Sequence, residues 1–194
     1  MDTEGLNVFV AHASDDVRRN IAAELNDRHH VVGSCGTAAE LRRAILSDRP
    51  DLLITGVMFP DGDGLDVAIE LSKIKPLPSV VVTVARSLEL VEKAMRDHVM
   101  AYLIEPVVKE DLEASIIVAW SRYQQLQELE SQVNSLETAL EHRKIIERAK
   151  GVLMASDSCS EAEAFNTLRT RSQDERRPMV DIARDILERA ETNR

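Results

Sequence analysis

Five short apolar runs occupy the first half of the chain, at residues 7–11, 30–34, 52–56, 79–84 and 101–104, and the segments between them carry apolar residues every three or four positions. That alternation predicts a parallel sheet wrapped by helices. The run Val80-Val81-Val82-Thr83-Val84 offers no alternating polar position to face water, so it reads as a central strand covered on both sides. Over residues 15–27, Val17, Ile21 and Leu25 recur at four-residue spacing and predict an amphipathic helix with Ser14 as its N-cap.

From about Glu110 the alternation stops, and neither glycine nor proline occurs until Gly151, which predicts one long helix. Within it Leu126, Leu129, Val133, Leu136 and Leu140 follow the 3,4,3,4 spacing of a two-stranded coiled-coil seam, which would need a second copy to cover it. The seam ends at Arg143. Ser160-Glu161-Ala162-Glu163 spells a capping box that opens a second helix, and Pro178 suits the first turn of a third. Leu153, Met154, Phe165 and the stripe Ile182, Ala183, Ile186 and Leu187 would form the core of this three-helix unit. The division is thus 1–115, 116–141 for the coiled-coil linker, and 142–194.

Composition adds limits. Hydrophobic residues at 44 % and charged residues at 30 % allow a packed core and exclude wholesale disorder. The net charge of -10 argues against non-specific coating of nucleic acid, yet the charge is uneven. Residues 142–194 carry 11 Lys/Arg against 10 Asp/Glu, about +1, which leaves about -11 for the rest. Two cysteines, Cys35 and Cys159, are too few for a disulfide framework or a structural zinc site. No apolar stretch resembles a signal peptide or a membrane span, so the expected location is the cytoplasm, with no membrane partner.

Residues 50–64, PDLLITGVMFPDGDG, together with Thr83 and the 102–106 segment, resemble the receiver domain of bacterial response regulators. The resemblance implies an α/β, flavodoxin-like, five-stranded parallel sheet. It also implies a phosphorylation site that is degenerate here: the acidic pair falls on His12 and Ala13, the acceptor aspartate on Gly56 and the conserved lysine on Glu105, while Thr83 keeps its identity. An acyl phosphate needs a carboxylate nucleophile and carboxylates for Mg²⁺. Asp15, Asp16, Asp61 and Asp63 could be proposed as substitutes, but first-turn positions and a DGDG turn account for them without chemistry. His12 reads as filler of the former acid pocket. No catalytic residue, cofactor or metal site is expected, and the Glu105-Pro106 bond is expected to be cis from the resemblance alone.

KIIERAKGVLM at 144–154, with Glu161, Ala164-Phe165, Leu168-Arg169 and Ile182-Ala183, resembles the ANTAR domain of transcription antiterminators. The resemblance implies binding to hairpin loops in a nascent leader transcript. Arg143, Lys144, Arg148, Lys150, Arg169, Arg171, Arg176 and Arg177 are the candidate cations, and arginine suits phosphate and unpaired bases alike. A non-enzymatic, homodimeric RNA-binding antiterminator follows, controlled by a ligand-sensing protein partner rather than by phosphate. A signalling scaffold or, more weakly, a DNA-binding regulator are the alternatives.

Overall fold

The computed structural model describes residues 5–48, 50–74, 76–84 and 99–192, and the chain forms two compact units, Met1–Gln127 and Glu128–Arg194.

In the first unit, strands β1 (Asn7–Ala11), β2 (His30–Cys35), β3 (Leu52–Gly56), β6 (Ser79–Thr83) and β7 (Val99–Ile104) form one sheet in the order β2-β1-β3-β6-β7, all parallel. Helices α1 (Asp15–Leu25), α2 (Ala38–Asp48) and α3 (Gly64–Ile74) supply crossovers, and β4 (Met58–Phe59) and β5 (Gly62–Asp63) make a two-stranded ribbon before α3. Strand alternation sorts the side chains between two cores. Val8, Val10, Leu52, Ile54, Val80 and Val82 face Ile21 and Leu25 of α1 and Leu112 and Ile116 of the long helix α4 (Lys109–Asp157). Phe9, Ala11 and Leu53 face Leu41 and Ile45 of α2 and Val67 and Leu71 of α3. Both central strands β3 and β6 are buried at every position, as the unbroken β-branched run requires. The flavodoxin-like fold is thereby established, with the strands' carboxyl ends forming the edge where such sheets hold ligands.

Ser14 caps α1 as expected, its hydroxyl accepting from the Val17 N–H. The first unit extends into the long helix past residue 115: Ile116 and Ala119 are fully buried in it, and Trp120, Tyr123 and Leu126 pack against it.

The second unit combines the end of α4 with α5 (Glu161–Glu175) and α6 (Met179–Thr192) around Ala149, Leu153, Ala164, Leu168, Ile182, Ala183 and Ile186. The capping box at Ser160 and Glu163 is complete in both directions. Two core expectations are corrected, since Met154 and Phe165 are exposed: at 100° per residue each lies round the helix from a buried neighbour, Leu153 and Ala164. Gly151 is neither a helix end nor a close approach. It lies inside α4, and a Cβ built there meets nothing within 4 Å.

Candidate functional site

At the carboxyl edge of the sheet, the position that would hold the acceptor side chain is closed by a neighbour. A Cβ on Gly56 would lie 2.5 Å from His12 Cδ2. His12 follows β1 and is pinned twice: the Ser14 N–H donates to Nδ1 at 3.1 Å, and Nε2 lies 3.2 Å from Glu105 Oε1. Both ring nitrogens thus face a polar partner, which fixes the plane of the imidazole over Gly56. Arg18 closes the surround by donating to the His12 and Ala13 carbonyls. Glu105 precedes Pro106 through a cis peptide bond, and its N–H donates to the Thr83 carbonyl, so His12, Gly56, Thr83 and Glu105 do converge. Ala13, one residue on, is exposed and offers no ligand atom on its side chain.

The four candidate substitute carboxylates have other partners. Asp15 pairs with Arg18 and Asp16 with Arg19, both at i,i+3. Asp61 accepts from the Ala38 and Ala39 N–H groups at the start of α2, which holds its carboxyl below the usual range. Asp63 accepts from the Leu65 and Asp66 N–H groups at the start of α3. Among the described residues, no group of three or more His, Cys, Asp or Glu side chains is placed to hold a metal ion.

The eight candidate cations of the second unit divide sharply. Lys150 is not the solvent cation its sequence context suggests. It is 7 % exposed and donates to Glu147 at 2.8 Å and to Glu161 at 2.7 Å, bonds that raise its own pKa and lower that of Glu161. Lys144 pairs with Glu141 at 2.6 Å. Arg177 is held by Asp185 at 2.8 Å and Glu175 at 3.0 Å, with its pKa raised and that of Asp185 lowered. The other five, Arg143, Arg148, Arg169, Arg171 and Arg176, are exposed and form no ion pair or hydrogen bond through their side chains among the described residues. Arg176 also closes α5 in the left-handed conformation, φ 52°, its N–H donating to the Gln173 carbonyl. Ser172 donates its hydroxyl to the Arg177 carbonyl at 2.6 Å and so works in the same cap.

The i,i+3 pairs carry a local signal in the sequence, and the pairs made between helices do not. Glu147 and Lys150 lie at i,i+3 on a helix, a spacing that brings side chains together. The capping box exposes Glu161 at a helix start, but only the tertiary packing shows that it faces Lys150. Nothing in the sequence links Arg177 to Asp185 across the α5–α6 turn.

Along the seam, Leu129, Val133, Leu136 and Leu140 are 53–66 % exposed. Leu126 is corrected: it packs on the core of the first unit beside Trp120 and Tyr123, so the free stripe begins at Leu129.

The comparisons with known proteins agree with this architecture. The response regulator receiver domain matches residues 8–117, and the ANTAR domain matches residues 134–187. The transcriptional regulatory protein PdtaR of Mycobacterium tuberculosis is 34 % identical over 182 residues, covering 93 % of this chain and 89 % of the relative. The nitrate regulatory protein of Klebsiella oxytoca is 46 % identical over 63 residues, 32 % of this chain and 16 % of that protein. A CheY-like receiver domain protein from Methanospirillum hungatei superposes with a TM-score of 0.57 at 20 % identity, over 62 % of this chain and 98 % of that one, a likeness of fold alone. No helix among the described residues is long and apolar enough to cross a membrane. A receiver sheet whose acceptor position is glycine, followed in one chain by a capped three-helix unit, is thus accounted for by descent: the chain belongs to the ANTAR response regulators, which regulate transcription.

Proposed function

We propose that this protein binds hairpin structures in nascent leader RNA and prevents transcription termination, working as a homodimer and without enzymatic activity. The observation that carries the reading is the set of uncommitted cations in the second unit. Five of the eight candidate cations are uncommitted and all five are arginines, while both lysines and Arg177 are neutralised internally. A guanidinium binds phosphate through two parallel donors and also stacks on bases, which a lysine ammonium cannot do. The chain as a whole is strongly acidic, so these exposed arginines, rather than a general positive field, would draw an RNA backbone.

The closed pocket supports a reading in which control comes from a protein partner in the cytoplasm in place of aspartyl phosphate. With Gly56 at the acceptor position and His12 filling the space above it, phosphate has no carboxylate to join. A protein that senses a ligand and docks on the receiver or the seam would supply the signal instead.

The test is binding of the full chain to a labelled two-hairpin leader RNA and to duplex DNA of equal length. RNA-selective binding that falls at least about tenfold in Arg169→Ala, with helicity unchanged, supports the reading. Equal weak binding to both would favour a protein-interaction scaffold.

A further inference from the structure

The chain contains six aromatic residues, and five of them lie wholly or partly within the first unit's cores: Phe9, Phe59, Tyr102, Trp120 and Tyr123. Phe165 differs. It is 41 % exposed on α5, in the second unit, beside a stripe whose buried members are Ala164 and Leu168. A single exposed apolar residue is ordinary by itself, so its surroundings decide what it means.

Those surroundings are specific. Arg169 lies one turn on at i+4, and Arg176 caps the same helix about three turns on, so the ring is followed along the helix by two exposed guanidiniums without ion-pair or side-chain hydrogen-bond partners among the described residues. The carboxylate one turn before the ring, Glu161, is held by Lys150 at 2.7 Å and adds no free negative charge. Arg176 occupies a left-handed position, φ 52°, where glycine is the common and less strained choice. Arg176 thus presents its cation from a position that carries a conformational cost.

An apolar protein patch would match the ring but leave both guanidiniums without counter-charge. A continuous duplex would match the guanidiniums but offer the ring no exposed base. A strand with unpaired bases matches both, because every base has a face to stack and each nucleotide carries a phosphate. We propose that Phe165 is a stacking platform for an unpaired loop base of the bound RNA, with Arg169 and Arg176 engaging the phosphates beside it. This rests on the RNA-binding reading and names the side chain that would hold a loop base.

The test uses the full chain and a pool of RNA hairpins with one constant stem and a randomised loop, together with the same stem as a blunt duplex. For hairpins enriched by the wild type, Phe165→Ala should weaken binding at least about tenfold, within the usual range for a lost base stack. Phe165→Leu keeps apolar bulk without a π-face and should lose nearly as much, whereas Phe165→Tyr and Phe165→Trp should stay within about threefold. The salt dependence separates the roles: its slope is unchanged in Phe165→Ala and shallower by about 1 in Arg169→Ala. A 2-aminopurine placed in the loop should be quenched by the wild type and not by Phe165→Ala.

Wild-type affinity in Phe165→Ala or Phe165→Leu would overturn the stacking role while leaving the RNA reading intact. A change in sedimentation of Phe165→Ala without loss of hairpin binding would assign the ring to contact between copies and also overturn it. A wild type that binds no hairpin in the pool would remove the RNA reading itself. Should Phe165→Ala lose helicity, the contrast between the Leu and Tyr variants still decides.

Discussion

His12 and Gly56 make one structural unit, and the energetic consequence is a coupling between them. An aspartate at 56 would drive its Cβ to within 2.5 Å of an imidazole ring that Ser14 and Glu105 hold in place, so the clash cannot be relieved by a flexible side-chain end. Gly56→Asp should cost about 1–3 kcal/mol, and His12→Ala in the same molecule should recover part of that. Urea unfolding followed through Trp120, the one tryptophan, which packs against the first unit's core, reads the effect where it arises. Strict additivity of the two substitutions within about 0.5 kcal/mol would show that the ring does not occupy the acceptor's space. The loss of the acid pocket was legible from the sequence because each vacancy is a residue identity. That His12 fills the vacancy could be guessed, but its two anchors could not, since Glu105 meets it only after the sheet has formed. Gly151 went the other way. Glycine within a helix ordinarily marks a boundary or a close neighbour, and Gly151 has neither, so Gly151→Ala should stabilise the second unit by about 0.5–1 kcal/mol, read from thermal melts by circular dichroism.

Among the helices, α5 shows how a short element is held by its ends. Glu163 accepts from both the backbone N–H and the hydroxyl of Ser160, and Glu161 accepts from Lys150; each bond lowers the carboxyl pKa below its ordinary 4.5. A carboxyl with a depressed folded-state pKa contributes stability that is complete above about pH 4.5 and is lost as the pH falls through the depressed value. Melting temperature should therefore fall on acidification below about pH 4.5. Glu163→Gln, which can still accept but cannot titrate, should start lower at neutral pH and fall less; an identical pH profile in wild type and variant would show that the box contributes nothing by charge. These ends were readable because capping is a local code, and the seam was readable because apolar residues in a sustained 3,4 repeat line one narrow stripe of a helix. The first seam position was not, because Leu126 lies where the repeat continues into a helix already packed on the sheet. Local periodicity cannot say which surface covers it. For Leu129, Val133, Leu136 and Leu140 the proposed cover is a second copy, and Leu136→Lys should shift sedimentation from dimer to monomer. A variant that remains dimeric would place self-association elsewhere.

Across the whole chain, attraction for RNA has to arise within a molecule whose net charge is -10, most of it outside residues 142–194. The acidic remainder repels phosphate at a distance, and salt screens that repulsion beyond roughly 10 Å at 0.1 M, whereas contacts made by guanidiniums release counterions and weaken as salt rises. The two effects have opposite signs, and the contact effect should dominate because it acts at direct range. Counting only Arg143, Arg148, Arg169, Arg171 and Arg176, each able to neutralise one phosphate, the plot of log K against log salt should have a slope of about -3.5 to -4.5 per protomer, the lower magnitude for a single strand and the higher for a stem. If Lys144, Lys150 and Arg177 also left their carboxylates to bind RNA, the limit would be nearer -6 to -7, but each would first have to break pairs of 2.6–3.0 Å. Titration of a two-hairpin RNA across a series of potassium chloride concentrations separates the cases. A slope shallower than about -2 per protomer would mean that most of the free arginines never meet a phosphate, and the division between committed and uncommitted cations would then not describe the binding surface.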